Sequence, residues 1–189
     1  MIIGNPSIFA IESSIAQAYE RLSSRALGFF VVYVGGRCYG TRSPDASMLA
    51  CSYDEVERRI ARRGSHTVSL ASEEAGKIAD ALRNAFYAEK QPESYFGIPL
   101  SAFREMIQSG RIVWAPDGDE DFDDGSYVLQ FDLPERVRLI AFKCSQGHVH
   151  DAATLSDVWL AADDFYSALR RWHDAFEAEW TSMPKKSDS

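Results

Sequence analysis

The chain has 189 residues, 46% of them hydrophobic and 12% aromatic, and 28 Asp plus Glu against 20 Lys plus Arg give a net charge of −8. That length suits one domain with its own core, and the aromatic content excludes a disordered chain. The acidity excludes generic nucleic-acid binding, which needs basic surface.

Cys38, Cys51 and Cys144 are odd in number and widely spaced, which implies neither a disulfide framework nor a zinc ribbon and fits a reducing compartment. Residues 1–6 lack a basic region and an apolar region, so no signal peptide is expected. The longest apolar run, residues 29–34, is too short to span a bilayer. A cytoplasmic location with no membrane partner is the expectation.

Taken in chain order, Asn5-Pro6 is a turn signal, and Phe9, Ile11, Ser13 and Ile15 alternate as in a strand. Ile15, Tyr19 and Leu22 also fit helical spacing. Residues 27–34 read as a buried strand, Gly35-Gly36 as a tight hairpin turn, and Arg37-Cys38-Tyr39 as the returning strand. Ser52 with Glu55 forms a capping-box pattern ahead of Tyr53, Val56 and Ile60, and Gly64 ends that helix. A second helix is expected to start at Ser72, with Ile78, Leu82, Ala85 and Phe86 inward, and to stop at Gln91-Pro92.

A short helix follows over residues 101–109, with Phe103, Met106 and Ile107 inward and Gly110 as terminator. Ile112-Val113-Trp114 reads as a strand. Residues 126–132 alternate, and with residues 137–143 they form an antiparallel hairpin about Pro134-Glu135. Val158-Trp159-Leu160 is a last strand. Phe165, Leu169, Trp172, Phe176 and Trp180 then recur at steps of four, three, four and four, the strongest helical stripe in the chain. The expected fold class is α+β: an antiparallel sheet with helices packed on it and a long C-terminal helix. Residues 1–183 are expected to form a single domain and residues 184–189 a flexible tail.

The charge is concentrated. Asp117, Asp119, Glu120, Asp121, Asp123 and Asp124 put six acids and no base into eight residues. Removing those six from the 28 acids leaves 22 against 20 bases, a net charge of −2. With Gly118, Gly125 and Pro116 around it, the stretch reads as a loop. It is tolerable if solvated, if it binds a cation, or if it meets a basic partner. An EF-hand starting at Asp119 is excluded, since Asp124 and Gln130 stand where Gly and Glu are needed. A looser metal site stays open. Phe122, an aromatic flanked by charge, suits an interface anchor, or else folds back and pins the loop.

Other chemistry is poorly supported. Cys144, His148 and His150 offer soft ligands without a closed four-ligand set. There is no nucleophile elbow. His66 and His173 are isolated and read as surface residues. Arg58, Arg59, Arg62 and Arg63 complement a helix C-terminus and can pair with Asp54, Glu55 and Glu57. No cofactor and no catalytic residue are expected.

The opening residues, Met1-Ile2-Ile3-Gly4-Asn5-Pro6-Ser7-Ile8-Phe9-Ala10-Ile11-Glu12, resemble the start of the Immunity protein 42 family of bacterial polymorphic-toxin systems. The Phe-rich strand ending in Gly35-Gly36 and the strand-then-helix pattern over residues 158–180 are similar too. The resemblance implies a non-enzymatic immunity protein that neutralises a cognate toxin C-terminal domain, with contact-dependent growth inhibition as one delivery route. A nuclease toxin, with its basic cleft, would suit the acidic loop. Asp117, Asp119, Glu120, Asp121, Phe122, Asp123 and Asp124 are then the expected toxin-binding residues. Two alternatives stay open: a metal-dependent hydrolase or nuclease using the same loop, and a small-ligand domain built around Trp114, Trp159 and Trp172.

Overall fold

The computed structural model describes residues 1–116, 120–144 and 150–187. Its strands are β1 (Ile2–Asn5), β2 (Phe9–Tyr19), β3 (Ala26–Val34), β4 (Arg37–Tyr39), β5 (Ser47–Met48), β6 (Ser94–Tyr95), β7 (Ile98–Pro99), β8 (Val113–Ala115), β9 (Ser126–Asp132), β10 (Arg136–Lys143), β11 (Ser156–Ala161) and β12 (Lys185–Lys186). Its helices are α1 (Ala50–Ala61), α2 (Ala75–Tyr87), α3 (Leu100–Gly110) and α4 (Ala162–Ser182). The α+β class, the antiparallel sheets and the long C-terminal helix are all present.

Two sheets build the core. The first runs β1-β2-β3-β4, with β5 beside β3 and β12 beside β2. The second runs β11-β10-β9-β8, all antiparallel. A small β6–β7 ladder lies apart from them. The expected hairpin at Gly35-Gly36 forms with Val34 opposite Arg37. Both glycines have positive φ, 60° and 84°, which a two-residue turn of this hand requires.

The second sheet is a dividing wall. Val128, Val137, Leu139 and Ala141 face the first sheet, α1 and α4 in one apolar cluster. Leu129, Phe131, Ile140 and Phe142 face α2 and α3 in another. All seven residues of β9 are therefore buried, including Ser126, Gln130 and Asp132. Alternation correctly separated its two sides, but both sides are interior. The α4 stripe behaves as its spacing predicts: Phe165, Leu169, Trp172 and Phe176 are buried, and Trp180 packs at the margin.

Several helix boundaries differ from expectation, α1 ending at Ala61 ahead of Gly64 and α2 at Tyr87 ahead of Gln91-Pro92. The Ser52–Glu55 capping box is not made; Leu49 is the N-cap and Ser52 lies buried inside α1. The Leu49 N–H already bonds Ala26 O, so pairing of β5 with β3 sets the helix start. Glu55 instead holds Arg58 at 3.0 Å and Arg59 at 2.9 Å. Helix α2 begins at Ala75, where the Glu74 side chain accepts from Gly76 N. Arg138 takes the carbonyls of Ala71 and Glu73 at 2.8 and 2.7 Å, and the second of these is thereby engaged outside any helix capped by Ser72. It is itself held by Asp157 at 2.8 Å.

Gly110 is the last residue of α3 rather than the residue after it. Arg111 carries the left-handed turn, with φ 47°. A Cβ on Gly110 would lie 3.0 Å from Val68 Cγ1, so a larger residue there would have to push the Val68 side chain aside. Beyond α4, Lys185 and Lys186 pair in parallel with Ala18 and Tyr19.

Candidate functional site

The acidic segment leaves β8 and returns into β9, so both of its ends are fixed by one sheet. Glu120–Phe122 make a single turn of 3-10 helix, and Asp123 N donates to Glu120 O at 3.1 Å. Its side chains have different fates. Asp121 is fully buried (0% exposed), and its Oδ2 accepts from Phe30 N at 2.9 Å. Its carbonyl accepts from Thr41 N at 2.6 Å. Phe122, 3% exposed, lies against the Phe30 ring at 6.2 Å in an edge-on arrangement. Of the two roles open to Phe122, it takes the pin.

The outward acids are Glu120 and Asp123, both exposed. Asp124 is half-buried, accepts from Ser126 N at 3.0 Å and pairs with Lys143. Asp117 and Asp119 lie outside the described residues. Gly40 makes this packing feasible: with φ 109°, its missing Cβ would stand 3.2 Å from Asp121 O. Residues 120–124 thus form a short anchored platform that presents Glu120 and Asp123 to solvent and buries Asp121 and Phe122.

The rival readings gain little. No group of three His, Cys, Asp or Glu among the described residues could hold a metal ion. Cys144 is half-buried, and burial pushes its thiol up, the opposite of an activated nucleophile. It bridges to His150, whose Nδ1 sits 2.6 Å from Asp80 Oδ1. His148 lies outside the described residues. Trp114 and Trp172 are core, whereas Trp159 is 41% exposed beneath the Arg138 guanidinium, so the three do not line one pocket.

Sequence reasoning missed an internal polar cluster. Arg59, expected in a basic surface patch, is buried and donates to Gln130 Oε1 at 3.0 Å and Val113 O at 2.8 Å. His66, expected at the surface, is buried too. Asp132 accepts from Gly64 N, His66 N, Gln130 Nε2 and Tyr166 Oη, at 2.8 to 3.2 Å. Burial, then Asp132, pushes the Tyr166 hydroxyl up, which keeps it a proton donor. No local pattern marks these residues, since their partners come from α1, β9 and α4.

His66 yields a pH prediction. Its Nδ1 faces the Gly110 and Arg111 carbonyls at 3.2 and 3.1 Å, so that nitrogen carries the proton. Burial and then the nearby Arg59 push its pKa below 6.5. The unfolded state then binds more protons than the folded one below that value. This contribution to stability is intact above pH 6.5 and is lost as pH falls through the folded-state value. Urea titrations from pH 7 to pH 5 should show falling stability, with a shallower fall in His66→Gln. Equal slopes in the two proteins would remove His66 as the cause.

The fold is thus an α+β platform with an anchored acidic segment. A model of the Immunity protein 42 family matches residues 1–175, and the chain belongs to that family. Among solved structures, the crystal structure of CdiI from Burkholderia dolosa AUO158 is similar, with a TM-score of 0.56 and 17% identity over 93% of this chain and 99% of that one. At that identity the likeness speaks for the fold. No curated protein matches the chain by sequence. No helix among the described residues is long and apolar enough to cross a membrane.

Proposed function

We propose that this immunity-family chain is a non-enzymatic inhibitor that binds a cognate toxin domain in the cytoplasm. The toxin is a nuclease, delivered between neighbouring cells by contact-dependent growth inhibition. Segment 117–124 docks in its basic cleft as a phosphate mimic. Family membership supports the inhibitor reading, and the likeness in fold to a protein named CdiI agrees with the delivery route.

The observation that carries the docking mode is the platform itself. Asp121 and Phe122 anchor the segment from inside, so Glu120 and Asp123 are held outward at little further cost in chain entropy. Fixed acids facing a basic cleft accelerate encounter and choose the partner by charge. Asp117, Asp119, Glu120, Asp123 and Asp124 are the proposed contact residues, with Asp121 and Phe122 acting through the anchor.

The test uses the full chain and the toxin domain encoded beside it. Glu120→Gln with Asp123→Asn, added to Asp117→Asn and Asp119→Asn, spares the buried anchor. Association at low ionic strength should slow by roughly tenfold to a hundredfold, with melting temperature unchanged. An unaltered rate would remove the segment from the interface. Absence of any complex between the unmodified partners would overturn the inhibitor reading.

A recess of about 470 Å³ lies between the β1–β2 turn, β11 and α4, lined in part by exposed Ile8 and Trp159. Trp159→Ala is the matching control. A large loss of affinity there, with none from the acidic variants, would move the docking face to that recess.

A further inference from the structure

Where α1, α2 and α3 meet beside β8, the protein has a recess of about 550 Å³. That is the size of a small-molecule site. Leu82 and Phe86 of α2 and Ile107 of α3 supply its apolar lining. The half-exposed ring of Tyr87 forms a wall, backed by the Arg83 guanidinium at 4.3 Å.

The charge of this recess is opposite to that of the protein. Arg58 and Arg111 both line it. Among the described residues of the lining the one acid, Glu55, is already bonded to Arg58 at 3.0 Å and to the buried Arg59 at 2.9 Å. The Arg111 side chain makes no ion pair or hydrogen bond with a described residue. The described lining residues therefore carry a surplus of positive charge around an apolar, ring-walled cavity in a chain of net charge −8.

Arg111 is also held in place. Its backbone sits in the left-handed region, φ 47° and ψ 46°, at a helix end where glycine is the usual residue. Its carbonyl accepts from His66 Nδ1 at 3.1 Å and Arg59 Nη2 at 3.4 Å, two buried side chains beneath the rim. A strained conformation fixed from inside, carrying an outward arginine, is the kind of backbone cost that accompanies a binding position.

We propose that this recess binds a small aromatic anion, one ring bearing a carboxylate or a phosphate. The anion sits on Arg111 and Arg58, whose guanidinium forks suit either group. The ring packs against Phe86, Tyr87 and the apolar floor. The site is separate from toxin inhibition and does not rest on it.

Calorimetric titration of the full chain with phenyl phosphate and with benzoate tests the proposal, with phenol and inorganic phosphate as controls. At least one aromatic anion should bind with Kd below about 1 mM and at least about tenfold more tightly than either control. Whichever binds more tightly identifies the anion. Arg111→Gly removes the guanidinium and suits the left-handed backbone, so it should keep or raise the melting temperature and weaken binding at least about tenfold. Arg58→Gln should weaken binding in the same direction, and it keeps the test available if Arg111→Gly does not fold. No binding by either aromatic anion, or affinity unchanged in both variants, overturns the proposal.

Discussion

Asp132→Ala should destabilise the protein by about 3–5 kcal/mol, against a typical total of about 5–15 kcal/mol. The side chain is buried on the β9 face that meets α1 and α4. Its removal takes the acceptor from the N–H groups of Gly64 and His66 and from the Tyr166 hydroxyl together, and leaves the Gln130 amide with Tyr166 Oη alone. Each buried donor left without a partner costs about 1–3 kcal/mol, and relaxation returns part of the sum. Asp132→Asn keeps the shape but turns an N–H₂ group toward donors, so an intermediate loss is expected. Urea denaturation of both variants checks the order. A loss under about 1 kcal/mol for Asp132→Ala would mean that water replaces the carboxyl group, and that the cluster is less closed than its geometry indicates.

Phe122→Ala is the second large effect, about 3 kcal/mol, the lower end for a buried Phe→Ala because a surface turn can settle into part of the space. The ring is buried against Phe30, and one residue earlier Asp121 bonds the Phe30 backbone. Losing the ring therefore loosens the attachment of the acidic segment to β3 as well as removing apolar contact. Hydrogen exchange at the Phe30 and Thr41 amides, both bonded to Asp121, should speed up. If the segment is the docking element, toxin association should slow although every outward acid is still present. Stability lost with exchange at those two amides unchanged would confine the role of Phe122 to the core.

Most of the element order was legible locally. Paired glycines after a Phe- and Val-rich run fix the 35–36 hairpin, since only they adopt positive φ there without strain. The stripe from Phe165 to Trp180 repeats at helical spacing, and the helix lies where the stripe lies. Helix starts were less legible. Ser52 and Ser72 are good caps by chemistry, yet strand pairing at Leu49 and Arg138 at the Glu73 carbonyl decide the outcome. Both decisions come from residues remote in sequence.

The acidic segment shows the same division. Its net charge and its loop character follow from composition alone, because six like charges in eight residues hold wherever the segment sits. Which acids face out does not follow. Asp121 and Asp123 are the same residue two positions apart, yet one is buried on Phe30 N and the other is exposed. The partner that separates them lies 91 residues away along the chain. Likewise, nothing near Arg59 or Arg111 in the sequence distinguishes a buried structural arginine from an exposed one at the mouth of a recess. Local sequence determined the elements and the sign of the charge, because spacing and charge are properties of neighbouring residues. Only the tertiary structure decided which polar groups are covered, because burial is set by whatever distant surface arrives on top of them.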